Sequence, residues 1–311
     1  MTNSRKIIEY LKERIGHSLK LLFMPYKRDM WDALEGVYHE ALKEGFKCDI
    51  LPIPYTYRDH NGEFTEWMVD EFDNSREGFP VKDEYDVILF HNPYDEYNRV
   101  TSVKPEYYTS KLVGLSKALC LVPYGIGVEG NVYPGIYNAD VIFAENELTV
   151  ESILNEAKEL GMTDKVFRQK FVVTGSPKCD LDLNQEVPEE WKEKIKGKRV
   201  VLFTTSLVPL LKDPQGEITK YDAVLTSLMQ DESQIVIWRE HPLTQATIKA
   251  MIPQFYPLYS ALKRGFITYG HGIFDETHDY RIAFSVADVL YSVPSSIIEV
   301  WKVTGKEFYE I

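Results

Sequence analysis

The sequence predicts an α/β protein in which two open parallel sheets, one in residues 1–180 and one in 181–311, face a shared cleft. Short apolar runs of strand length alternate with amphipathic helical segments, the order required by a parallel sheet flanked by helices. Several of these runs stop on polar residues, most abruptly at Ile235-Val-Ile-Trp-Arg-Glu-His-Pro-Leu243, where β-branched residues give way to three ionisable groups and a proline. One polar segment, Asp180–Lys198 with Pro188, interrupts the alternation and reads as the link between two domains.

In chain order, Ser4–Ile15 has helical spacing, with Ile7, Ile8, Leu11 and Ile15 on one face. Leu19–Met24 is a strand, and Met30, Leu34, Val37, Tyr38 and Ala41 stripe a helix that Gly45 stops. Lys27 and Arg28 precede that helix as a candidate anion contact or a solvated approach. Cys48–Tyr55 is a strand that Pro52 and Pro54 push to an edge, and Arg58-Asp-His-Asn-Gly-Glu63 is a hairpin turn, so a decoration falls near residues 55–70. Tyr85–His91, Leu119–Pro123, Val141–Ala144 and Lys170–Thr174 are further strands, with a helix at Val150–Leu160. Beyond the link, Val200–Phe203 is a strand ending on Thr204-Thr-Ser206, Ile218–Gln230 a helix, and Thr244–Lys263 a helix kinked near Pro253. Phe266–Tyr269, Asp279–Val286, Val289–Ser292, Ser295–Val303 and Phe308–Ile311 continue the alternation.

The chain has 311 residues, 44% hydrophobic and 27% charged, which suits two soluble domains with sizeable cores. A formal charge of −13 argues against a nucleic-acid groove and against membrane attachment through a basic face. No apolar run reaches the roughly 18 residues of a spanning helix, and the first residues lack a signal-peptide core, so the cytoplasm is the default address. Cys48, Cys120 and Cys179 are odd in number and far apart, which fits reduced thiols and no CxxC half-site. His271, Asp275 and His278 lack a clear further ligand, so no metal is assigned.

Against this background the chain resembles the CDP-glycerol:poly(glycerophosphate) glycerophosphotransferases, the teichoic-acid polymerases and primases. Phe171-Val-Val-Thr-Gly-Ser-Pro-Lys-Cys-Asp180 is similar to that family's Gly-x-Pro-Arg-x-Asp segment, with Gly175, Pro177, Lys178 and Asp180 in place. Val200–Ser206 resembles its next strand and loop, Arg239-Glu-His-Pro242 its His-Pro segment, and Asp288–Ser296 the segment that carries a Ser-Ser pair before a helix. In the first half, Met30-Trp31-Asp32, Pro52-Ile-Pro-Tyr55 and His91-Asn-Pro-Tyr-Asp95 resemble a divergent branch of the group. Tyr124-Gly125 stands where the better-known members have a His-Gly pair, and Pro294 where an Asp is expected.

The resemblance implies a GT-B architecture, two Rossmann-like domains with the nucleotide held mainly by the second. It implies transfer of a phosphopolyol from a CDP-linked donor, the substrate rather than a cofactor, to a polymer or lipid-linked acceptor. The protein would be cytoplasmic or peripheral at the inner membrane face; no oligomeric state follows. A sugar-nucleotide glycosyltransferase and a catalytically degenerate nucleotide-binding scaffold are the alternatives. Such a transfer needs charge neutralisation at the leaving diphosphate and a base near the acceptor hydroxyl.

Arg239, His241 and the N–H groups after Ser295 are candidates for neutralisation, with Gly175, Pro177, Lys178, Thr205, Ser206 and Ser296 on the nucleotide side. Glu299, one turn into the last helix, could reach a ribose hydroxyl or face solvent. His91 is the first candidate base and Tyr124 the second, with Asn92, Asp95 and Gly125 on the acceptor side. Plain alternatives stand beside each: a core histidine for His91, a helix cap for His241 and for the Ser295-Ser296 pair, an Asx turn for Asp95.

Overall fold

Short strand-length runs punctuated by turn residues form the strands of the first half, with the buried aliphatic ones at its centre. They are β1 (Lys20–Met24), β2 (Lys47–Ile50), β3 (Tyr55–Arg58), β4 (Phe64–Met68), β5 (Val87–Phe90), β6 (Thr101–Val103), β7 (Ala118–Leu121), β8 (Val141–Ala144) and β9 (Phe171–Val173). The computed structural model describes residues 1–126, 131–162 and 164–311. It divides into two units, Met1–Tyr57 with Phe64–Asp180, and Arg58–Glu63 with Leu181–Ile311.

In the first unit six strands form one sheet in the order β2-β1-β5-β7-β8-β9. All its neighbours pair in parallel. β5 and β7 are buried at every position, because helices cover both faces of a parallel sheet. The helix Asn3–Arg14 begins at Thr2, whose hydroxyl accepts the Arg5 N–H, and buries Ile7, Ile8 and Leu11. The helix Asp32–Lys43 buries Leu34, Val37 and Ala41, and Tyr38 meets Phe23 of β1 edge-on at 5.3 Å. β2 is the sheet's edge, as the prolines after it require; Pro52 and Pro54 fall between β2 and β3 instead of inside one strand. β3 joins the small sheet β4-β3-β6.

The second unit carries β10 (Arg199–Thr204), β11 (Gln234–Arg239), β12 (Gly272–Phe274), β13 (Val289–Ser292) and β14 (Glu307–Glu310), ordered β12-β11-β10-β13-β14. These pairs are parallel too. Trp238 has no exposed surface and meets Phe203, Phe266 and Phe274 edge-on at 6.3, 5.3 and 5.3 Å.

In the second unit three expected boundaries moved. Asp213 caps the Gly216 N–H at 3.0 Å and Pro214 occupies the first turn, so that helix runs Pro214–Met229 and begins before Ile218. Pro253 breaks the long helix into Thr244–Met251 and Tyr256–Tyr269, joined through the turn Pro253–Phe255. Phe266–Tyr269 is thus the end of a helix that left-handed Gly270 terminates, and the strand follows at Gly272. Among the described residues no helix is long and apolar enough to cross a membrane.

Candidate functional site

Numbered within its unit, the second sheet runs 3-2-1-4-5, with β10 first and β13 fourth. Strand order reverses between these two, and the carboxyl ends of strands at such a point are where open α/β sheets receive ligands. Thr204 and Ser292 end the two strands in register, and the Thr204 hydroxyl donates to Ser292 Oγ at 2.8 Å. Ser292 Oγ also donates to the Val293 carbonyl at 2.8 Å and lies 3.2 Å from Ser295 Oγ. Ser295 occupies the N-cap position of the helix Ser296–Lys302 but its side chain makes no capping bond, being turned back to the strand tip. This corrects the expectation of a serine cap. Thr205 is 6% exposed, and its hydroxyl lies beside the Tyr259 phenol. Ser206 precedes the helix Leu207–Lys212, again with no side-chain cap.

One strand over, Arg239 is buried and its Nη1 reaches Asp275 Oδ2 at 2.6 Å, the Thr277 carbonyl at 3.0 Å and the Thr277 hydroxyl at 3.2 Å. Its Nε and Nη2 make no hydrogen bond among the described residues, so part of a planar fork is left for an oxyanion. Glu240 is committed: it accepts from Tyr259 OH at 2.8 Å and from Gln245, and pairs with Lys263 at 3.3 Å. Burial, with Glu240 beside it, raises the Tyr259 phenol well above its ordinary range. His241 Nδ1 accepts the Leu243 N–H at 3.1 Å, immediately before the helix Thr244–Met251. The proton of a neutral ring is therefore on Nε2. Ser296 is exposed, and Glu299 pairs with Lys302 at 2.6 Å on an exposed face.

The first unit contradicts the expected base. His91 has no exposed surface; Nε2 accepts the Tyr26 N–H at 2.9 Å and Nδ1 donates to the Met30 carbonyl at 3.0 Å. Burial drives its pKa down to about 3. A ring whose only lone pair is taken cannot receive a substrate proton, so His91 is a pin between the tips of β1 and β5. Tyr124 is half-buried, and burial raises its phenol well above the usual range, which makes it a neutral donor instead of a base. Asn92 Oδ1 accepts the Tyr94 N–H at 3.1 Å. Asp95 accepts from the Thr109 N–H at 2.9 Å and hydroxyl at 2.6 Å, holding the start of the helix Thr109–Leu112, and is no acceptor contact. Burial lifts its pKa to about 6. Gly125 borders a small apolar crevice with Ser176 and Pro177; Gly127 and Gly130 of the same run lie outside the described residues.

The segment expected to hold nucleotide is instead a closure within the first unit. Asp180 accepts the Asn3 and Ser4 N–H groups at 2.8 and 2.6 Å, and Asn3 Nδ2 donates to the Ser176 carbonyl at 2.9 Å. Lys178 pairs with Asp32 at 3.0 Å, and Pro177 opens the turn Pro177–Cys179. Gly175 has φ +83°, and a Cβ there would overlap the Asn3 side chain. Gly175→Ala is therefore expected to cost at least about 2 kcal/mol, measured as a shift of the urea midpoint. An unshifted midpoint would show the backbone free to adapt.

Sequence reasoning did not find Asp275 and Thr277 as the Arg239 partners, nor the Thr204–Ser292 bridge. Their only signal is position, since each follows or ends a strand.

No family model and no curated protein matches this chain. Solved structures do. S. aureus MnaA, in a co-structure with UDP, superposes with TM-score 0.57 at 12% identity, covering 93% of this chain and 78% of that one. The UDP-GlcNAc 2-epimerase from Neisseria meningitidis bound to UDP-GlcNAc gives TM-score 0.53 at 12% identity over 94% and 82%. The wall teichoic acid polymerase TagF aligns over 99% of this chain and 74% of its own at 12% identity, but its TM-score of 0.47 is too low to argue from. The fold is α/β with parallel sheets, of the two-domain GT-B kind.

Proposed function

We propose that this chain is a GT-B transferase that holds a nucleoside-diphosphate-linked donor at the tips of β10, β11 and β13. The group passed on is a phosphopolyol, taken from a CDP-linked donor and delivered to a cell-surface polymer precursor. The observation that carries this reading is the reversal of strand order between β10 and β13, with Thr205 and Ser295 at the tips and the Arg239 fork one strand away. Hydroxyls beside a partly engaged guanidinium suit a diphosphate, and catalysis of phosphoryl transfer is mostly positioning and charge stabilisation. A UDP-linked sugar is the second reading, favoured by the neighbours named above with UDP and UDP-GlcNAc.

Thermal shift with CDP, UDP and GDP separates the two. CDP is expected to raise the melting temperature most, and a larger shift with UDP would transfer the site to a sugar nucleotide. Thr205→Val keeps the shape of a buried side chain but removes its hydroxyl, so it should weaken nucleotide binding about three- to tenfold. Unchanged affinity in both Thr205→Val and Ser295→Ala would place the nucleotide elsewhere.

A further inference from the structure

The helices Pro214–Met229 and Tyr256–Tyr269 each return from one parallel strand to the start of the next. They therefore lie side by side on one face of the second sheet and run in the same sense. Between them is a groove of about 620 Å³. Its floor is apolar and buried, at Ile218, Leu225 and Phe266, and Met229 and Leu262 form its sides. Leu258 and Tyr269 border it while 39% and 59% exposed. An apolar trench about three helical turns long is surface whose removal from water is favourable.

Two features say what covers it. The first is Gly265. A glycine inside a helix is destabilising relative to alanine, and the other glycines within described helices have a reason inside the chain: Gly36 abuts Ser4, Gly135 abuts Pro93 and Gly216 abuts Asp213. A Cβ at Gly265 would meet nothing within 4 Å, and its φ is not positive, so the folded chain does not itself require a glycine there. With Ala261 one turn earlier, it leaves that side of the groove bare to close approach from outside. The second feature is charge. Asp222 lines the groove from one helix, and Arg264 is exposed on the other beside Gly265; neither makes an ion pair among the described residues. Opposite signs across one groove select neither a basic nor an acidic partner, but they fit the same face turned over. A two-fold axis along the groove sets each helix against the other helix of the second copy, and so Asp222 of each copy toward Arg264 of the other.

We propose that this face pairs with itself: two copies of the chain associate through these two helices, with Asp222 and Arg264 bridging across the two-fold. The inference does not depend on the transferase reading. A face two helices wide is small beside the ~1,600 Å² of a standard interface, so the pair should be weak and reversible, with Kd on the order of 10 µM.

Sedimentation velocity of the full chain, from about 1 to 200 µM, should show a concentration-dependent shift from monomer to dimer. Asp222→Arg and Arg264→Asp should each weaken the dimer at least about tenfold by setting like charges together. Mixing the two variants should restore it to within about threefold of the parent, because each contact then joins opposite charges again. Gly265→Gln fills the bare side with a helix-favouring residue; it should weaken association about tenfold while leaving the melting temperature of the dilute chain level or higher, which separates a blocked groove from misfolding. A parent chain that stays monomeric at the highest concentration, a dimer that neither charge variant weakens, or a mixture no tighter than the single variants would overturn the proposal.

Discussion

Asp275→Ala is expected to destabilise the second unit by about 3–5 kcal/mol, because it strands a buried guanidinium. The side chains of Arg239 and Asp275 are 8% and 0% exposed, and the carboxylate also accepts the Thr277 N–H at 2.9 Å and hydroxyl at 2.6 Å. Removing it therefore leaves one uncompensated charge and a loop without its brace. Hydrogen exchange reads this locally, which matters in a two-unit chain whose global unfolding need not be two-state. Amides of β11 and β12 should lose protection, while those of β1 and β5 keep theirs. Replacing both partners, Arg239→Leu with Asp275→Leu, should restore much of the loss, since an apolar pair avoids the desolvation cost. Intact protection in Asp275→Ala alone would mean that the pair contributes little.

The second large effect is a pair of opposed pH dependences in the first unit. His91 has a folded pKa of about 3 against an ordinary 6.5, so the unfolded chain binds the extra proton between these values. Its contribution is complete above 6.5 and is lost as pH falls toward 3. Asp95 is the reverse: its folded pKa of about 6 exceeds the ordinary 3.8, so its contribution is present below 3.8 and is lost as pH rises through 6. Between pH 4 and 6 the two slopes offset each other, each up to about 1.4 kcal/mol per pH unit. His91→Gln should expose the Asp95 slope, with stability rising as pH falls. Asp95→Asn should expose the His91 slope, with stability falling faster than in the parent chain. Urea midpoints at pH 4, 5 and 6 decide it, and parallel profiles for the two variants would refute both assignments. His91→Gln should also lower stability throughout, because the Tyr26 N–H and the Met30 carbonyl lose a buried partner.

What was legible in the sequence was whatever depends on period and punctuation. The Ile235-Val-Ile-Trp238 run had to be a covered strand, and Pro242 had to end it, so Arg239 at a strand tip followed from local rules. Its ionic partner did not, because Asp275 is 36 positions away and only the parallel pairing of β11 with β12 brings them together. His91 was placed correctly at the end of its strand, but a histidine at a tip looks the same in sequence whether its nitrogens face a ligand or two backbone groups. The Gly175–Asp180 segment shows the same limit. A matching pattern of residue types identified it, whereas its hydrogen bonds run to Asn3 and Ser4 in its own unit.

The bond from the Asn3 N–H to Asp180 joins positions 177 apart, so the amino end of the helix Asn3–Arg14 finds its carboxylate only after the rest of the unit has been synthesised. A ribosome would expose that helix long before its anchor. Chains halted ahead of Asp180 should carry it frayed and sensitive to protease, with the Gly175–Asp180 segment acting as a latch that closes once it has left the ribosome.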